Sequence, residues 1–122
     1  MGIRPANLKD FSALGLTSVA VTVRKFGSEE SITLTFLINT KAHDSLVPAS
    51  ELIRLGINPV RKQFYEMSNG ELKEFELGFA EFEFLGEIVP VQVMFGPEDC
   101  EPLLGVLALR TAGFTVSLKS VA

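Results

Sequence analysis

The residues able to do chemistry crowd into one short stretch, Asn39-Thr40-Lys41-Ala42-His43-Asp44-Ser45, with a second small group at Asp99-Cys100-Glu101. His43 is the chain's one histidine and Cys100 its one cysteine. A histidine beside an aspartate has the parts for acid–base work, because imidazole titrates near neutral pH. Adjacent residues in an extended loop usually point apart, however, and no serine with a recognisable nucleophile turn lies nearby. Cys100 stands between two carboxylates, which disfavour the thiolate that a nucleophile needs. Its expected role is that of a passive loop or packing residue. One histidine and one cysteine form no ligand set of the usual metal spacing, and no glycine-rich phosphate loop precedes a helix. Neither a metal nor a cofactor is expected. Asn39 carries an amide, which hydrogen-bonds but cannot act as an acid or a base.

The frame around these residues is that of one small globular domain. A chain of 122 residues with 47% apolar content can bury a single core. Ten Phe and no Trp put much of that burial into phenyl rings. A net charge of −4 argues against a nucleic-acid partner, and the basic pair Arg61-Lys62 reads as a solvated strand end. No apolar run approaches the ~20 residues of a membrane helix. The first residues lack a signal-peptide core, and Ala6 stands where a myristoylation signal wants Ser or Thr. A lone cysteine excludes an internal disulfide framework. A cytoplasmic protein without membrane contact is expected.

The elements that must position the chemistry are mostly strands. Residues 1–16 show no clear period and read as a loosely held arm, with one short turn around Leu8–Leu14. Val19, Val21 and Val23 alternate with polar or small residues, and Ile32, Leu34, Phe36 and Ile38 alternate after the Gly27-Ser28-Glu29 turn, which makes a hairpin. Pro48 to Leu55 predicts two turns of helix stopped by Gly56. Strand resumes over Val60–Met67, and Asn69-Gly70 predicts a type I′ hairpin turn. Phe75, Leu77 and Phe79 then alternate in one phase and Phe82 and Phe84 in the other, which predicts a bulge near Gly78–Ala80. Gly86 turns the chain into Ile88–Phe95, where Pro90 marks an edge or irregular position. Leu103-Leu104-Gly105 leads into a helical turn from Val106 to Ala112, and Phe114, Val116 and Leu118 make a last strand. Such an order predicts an all-β class: one closed, mostly β barrel over residues 17–122, with one or two short helices.

Several of these blocks, in chain order, resemble the retropepsin-like aspartic proteases, above all the small single-domain bacterial type. Asn39-Thr40-Lys41-Ala42 follows an N-terminal hairpin where that family reads Asp-Thr-Gly-Ala, and Ser45-Leu46-Val47-Pro48 follows. The tip Ser68-Asn69-Gly70 looks like the family's flap over the substrate groove. Leu103-Leu104-Gly105 resembles the apolar-apolar-glycine element before its helix. The resemblance covers roughly residues 17–119 and implies a closed acid-protease barrel acting as a symmetric homodimer, with a peptide or protein ligand in the groove.

In that chemistry two aspartates, one per chain, share a proton because like charges close together cannot both ionise. Asn39 stands at the aspartate position and has no proton to share. The resemblance therefore implies an inactive homologue that binds a peptide or partner. The alternatives are an active aspartic peptidase captured as an Asp-to-Asn variant, or an unrelated β-barrel binding module. Thr40 matches the family residue whose hydroxyl bridges the two chains, or else makes a local turn bond. Lys41, at the glycine position, either crowds the groove floor, where it would need a carboxylate such as Asp44, or points to solvent. Two departures within three residues favour natural loss of activity over a single trapping change.

Overall fold

A computed structural model describes residues 2–3 and 5–116 of the chain. The elements in order are β1 (Lys9–Asp10), a 3-10 turn (Phe11–Leu14), β2 (Ser18–Arg24), β3 (Ser31–Ile38), β4 (Ser45–Pro48), α1 (Ala49–Arg54), β5 (Arg61–Glu66), β6 (Leu72–Phe84), β7 (Glu87–Gly96), β8 (Leu103–Leu104), α2 (Val106–Thr111) and β9 (Phe114–Thr115). Strands pair in the order β2-β3-β8-β4-β7-β6, and β6 returns to β2, which closes the ring. The expected closed, mostly β architecture with two short helices is what forms. β5 lies outside the ring, attached to β6 alone.

Period-two alternation sends Val21 and Val23 of β2, Phe36 of β3 and Ala80, Phe82 and Phe84 of β6 into one core. Phe36 and Phe82 meet edge to face at 5.3 Å, a favourable aromatic geometry. The closing seam pairs Arg24 with Glu81 and Thr22 with Glu83. The two terminal guanidinium nitrogens of Arg24 donate to Glu81 at 3.0 Å and Glu83 at 2.9 Å, so one side chain spans the seam. The N-terminal residues are less loose than their sequence suggests. Phe11 is buried against Phe114 at 5.7 Å, and Lys9–Asp10 pairs in parallel with Phe114–Thr115. The expected strand position Leu118 lies outside the described residues.

Three local expectations are corrected. Ser45–Pro48 is a strand paired with Val93–Gly96, so α1 starts after Pro48 rather than on it. Pro48 is extended, with φ −53° and ψ 133°.

The β5–β6 hairpin does turn at Asn69-Gly70, but not by a type I′ turn. Gly70 N–H donates to Met67 O at 2.9 Å, and Gly70 alone is left-handed, with φ 86°. Asn69 instead caps the turn by accepting from Glu71 N–H at 3.0 Å. The two-residue turn with both φ positive is Leu85-Gly86, at 51° and 80°.

The third correction concerns β6, which contains no bulge against β7. The register runs unbroken from Leu77↔Met94 to Phe84↔Glu87. The buried face changes at Leu77–Gly78 because the packing partners change: Phe75 and Leu77 serve the hairpin side, whereas Ala80, Phe82 and Phe84 serve the barrel. A Cβ on Gly78 would stand 2.9 Å from the Phe95 ring and 3.0 Å from Asn58 O, which explains the glycine at the changeover. Pro90 sits on the part of β7 that has only β6 beside it, so its missing N–H breaks no ladder on the other side.

Phe82→Ala removes a fully buried ring from the centre of the core. It should cost about 3–5 kcal/mol, read as a lower urea midpoint at unchanged slope.

Candidate functional site

The loop between β3 and β4 is built by backbone before side chains contribute. Asn39 N–H donates to Leu104 O at 3.0 Å, and Ala42 N–H to Asn39 O at 3.2 Å, a tight turn over residues 39–42. Asn39 Oδ1 accepts from Lys41 N–H at 3.0 Å, so the amide oxygen holds the turn itself. Lys41 is exposed and, like every described non-glycine residue except Leu85, lies outside the left-handed region. The backbone there does not demand glycine. Thr40 is exposed, and its hydroxyl has no hydrogen bond among the described residues.

The second wall is the Leu103-Leu104-Gly105 segment. Val106 N–H donates to Ala42 O at 2.8 Å and Leu107 N–H to His43 O at 3.0 Å, while Gly105 N–H donates to Ser45 Oγ at 3.0 Å. A Cβ on Gly105 would fall 2.6 Å from Asp44 O and 2.7 Å from His43 O. Only glycine permits this approach of two backbones. Leu104 is fully buried beneath. Asn39, Thr40, Lys41 and Ala42 are thus brought beside Leu104 and Gly105. Ser68, Asn69 and Gly70 form the exposed tip of the hairpin.

Sequence reasoning missed what Asp44 does. Its side chain is 4% exposed. It accepts from the Tyr65 hydroxyl at 2.5 Å and from Gln92 Nε2 at 3.2 Å, and His43 Nδ1 lies 3.3 Å away. Asp44 is therefore turned inward to β5 and β7 instead of toward Lys41. A buried carboxylate is costly unless hydrogen-bonded, and these contacts meet that need. They also tie the outlying hairpin to the loop. Tyr65 and Gln92 lie 21 and 48 residues away in sequence. The one available signal was that Tyr65 is the sole tyrosine in a chain with ten Phe.

Cys100 packs against Gly96, where an added Cβ would meet Sγ at 2.6 Å. Burial first, and the Asp99 charge second, push its thiol upward, away from the reactive thiolate. No group of three or more metal-ligating side chains occurs among the described residues. None of their helices is long and apolar enough to cross a membrane. A cleft of about 370 Å³ between the β2–β3 turn and the end of α1, lined by Lys25, Phe26, Glu30 and Arg54 among others, involves none of the loop residues.

The class these features define is a closed, mostly β barrel with an outlying hairpin fastened over a β-turn loop. No family model matches the chain, and no curated protein matches it. Among solved structures the chain is similar to the solution structure of Simian Foamy Virus (mac) protease. Identity is 20% over 70% of this chain and 86% of that one, with a TM-score of 0.48. A superposition that loose carries no argument about chemistry.

Tyr65 offers a direct probe of the Asp44 tie. Burial, followed by the hydrogen bond to Asp44 and that residue's charge, raises its pKa above the ordinary 10.0. Folding thus favours the protonated phenol. That contribution is complete below pH 10 and is lost as pH rises beyond it, where the unfolded chain releases its proton first. With one Tyr and no Trp, phenolate absorbance reports this residue alone. The native step should fall at higher pH than the step in urea. Tyr65→Phe should abolish the signal, remove that alkaline loss and cost about 1.5–3 kcal/mol at neutral pH, as loss of a hydrogen bond to a charged group does.

Proposed function

We propose that the chain is a non-catalytic member of the retropepsin-like aspartic protease family. On this reading it binds an extended peptide or partner segment between the β5–β6 hairpin and the Asn39 loop, as a twofold dimer of identical chains. The observation that carries the reading is Asn39. It stands at the position that the resemblance assigns to the catalytic aspartate, and its amide oxygen is occupied by the Lys41 N–H. The loop residues 39–42 hold no carboxylate, and nearby Asp44 is engaged inward by Tyr65 and Gln92. The shared-proton chemistry has no acid to run on, while the turn that would present it is kept by backbone hydrogen bonds.

For dimerisation through Thr40 the residue is exposed, and its hydroxyl has no hydrogen bond among the described residues. The family-like contact through chain ends is weaker here, because Lys9–Asp10 already pairs with Phe114–Thr115 in the same chain. Residues 1–16 are assigned as an arm on a single barrel domain, and the acidic, one-cysteine composition suits a cytoplasmic setting.

The unmodified chain should hydrolyse no peptide between pH 3 and 7. Restoring the family loop gives the test. Asn39→Asp alone should do little, because the exposed Lys41 side chain still stands where the family's glycine lets a substrate backbone approach. Asn39→Asp with Lys41→Gly should be the first variant to show pepstatin-sensitive cleavage. Turnover by the unmodified chain, abolished by His43→Ala or Cys100→Ala, would refute the reading.

A further inference from the structure

The outer edge of β5 is unpaired among the described residues, since β5 bonds only to β6. Met67 N–H donates to Glu71 O at 2.7 Å, a pair that continues the β5–β6 register beyond Glu66↔Leu72. In an antiparallel ladder alternate residues turn both backbone groups the same way. Gln63 and Tyr65 therefore turn theirs to β6 along with Met67, and Lys62, Phe64 and Glu66 turn theirs outward. The side chains of these three share one face, opposite to Tyr65. All three are exposed, Phe64 to 64%. Neither Lys62 nor Glu66 has an ion pair among the described residues.

From this geometry we propose that β5 pairs edge to edge with β5 of a second copy of this chain, on a twofold axis through Phe64. In an antiparallel pair made by such an axis, residues that meet share a face, so even-numbered residues meet even-numbered ones. Centring on Phe64 sets Phe64 against its own copy, Lys62 against Glu66 of the copy and Glu66 against Lys62. These are the residues whose N–H and C=O are free, so the three meetings exchange about six backbone hydrogen bonds. Shifting the axis by one residue in either direction sets Phe64 against a charged side chain and separates Lys62 from Glu66.

Charged side chains or a proline commonly blunt an edge against pairing. Here the charges meet as opposites around an exposed aromatic. Each Lys62 would lie between Glu76 of its own β6 and the incoming Glu66, and the two Phe64 rings would cover one another. A foreign strand could use the edge, but it would not need this self-complementarity. The proposal does not rest on the protease reading; a chain making both this contact and the Thr40 contact would assemble beyond the dimer, and the charge variants would return it to one.

The test is sedimentation equilibrium of the full chain over a concentration series up to about 1 mM, the affinity range of a small interface. Lys62→Glu and Glu66→Lys should each weaken the dimer about tenfold or more, because each creates two like-charge meetings. The double variant K62E/E66K should restore it. As a second measurement, Phe64→Cys in a Cys100→Ser background should form a disulfide-linked dimer under mild oxidant faster than a Leu72→Cys control in the same background. The proposal is overturned if the parent stays monomeric throughout and Phe64→Cys crosslinks no faster than that control. It is equally overturned if a dimer forms that ignores all three charge variants. A dimer lost on Thr40→Arg but indifferent to Lys62 and Glu66 would assign the contact to the loop and reject the β5 edge.

Discussion

Two backbones cross within van der Waals distance where Gly105 passes Asp44, and much of the molecule is arranged around that crossing. An added Cβ would sit 2.6 Å from a carbonyl oxygen that has nowhere to go. Because the approach is so close, the N–H groups at the start of α2 reach Ala42 O and His43 O, and Ser45 Oγ takes the N–H of Gly105 itself. The same crossing places Leu104 beside Ile38 and so inserts β8 between β3 and β4, without which the ring of strands would stay open. The loop is thus shaped by main chain. The side chain at position 39 adds one bond to that frame, from its oxygen to the Lys41 N–H.

Main-chain bonds from Asn39 N–H to Leu104 O and from Ala42 N–H to Asn39 O therefore set the turn, and its side chains are added to it. Asn39 uses its side-chain oxygen to close its own turn, and Lys41 occupies an unstrained backbone position with its ammonium in solvent. The buried polar side chain of this stretch is further along, at Asp44. A carboxylate this buried obliges the structure to supply donors, and it takes one from β7, already paired with the adjoining β4, and one from β5, which has no ladder to β4.

How much of this was legible depended on the range of the interaction. Alternating residues in β2, β3 and β6 disclosed strands and core, because burial on a pleated sheet is a local pattern. The Leu103-Leu104-Gly105 signal and the helix after it were readable for the same reason. The turn at Asn69-Gly70 was located correctly but given the wrong geometry, since Asn can serve by side-chain capping as well as by left-handed backbone. The face change in β6 was visible as a phase shift. Its cause was not, because that lies in Asn58 and Phe95, distant in sequence. The Tyr65–Asp44–Gln92 contacts were illegible: three polar residues on three separate segments carry no periodicity that would bring them together.

The sharing of β6 between hairpin and barrel has a mechanical consequence. A lid hung on loops swings as a door does, with both hinges soft. This hairpin is a beam held at its root and tied part-way along: β6 runs on without interruption as a wall of the barrel, the Val60 N–H just before the other strand donates to Leu77 O, and Tyr65 fastens to Asp44. Bending is therefore confined to the span beyond the point where Leu77, the last β6 residue paired with β7, and Tyr65 hold it. Displacement of the tip then grows with distance from that point, so the tip travels through an arc while the root stays in register.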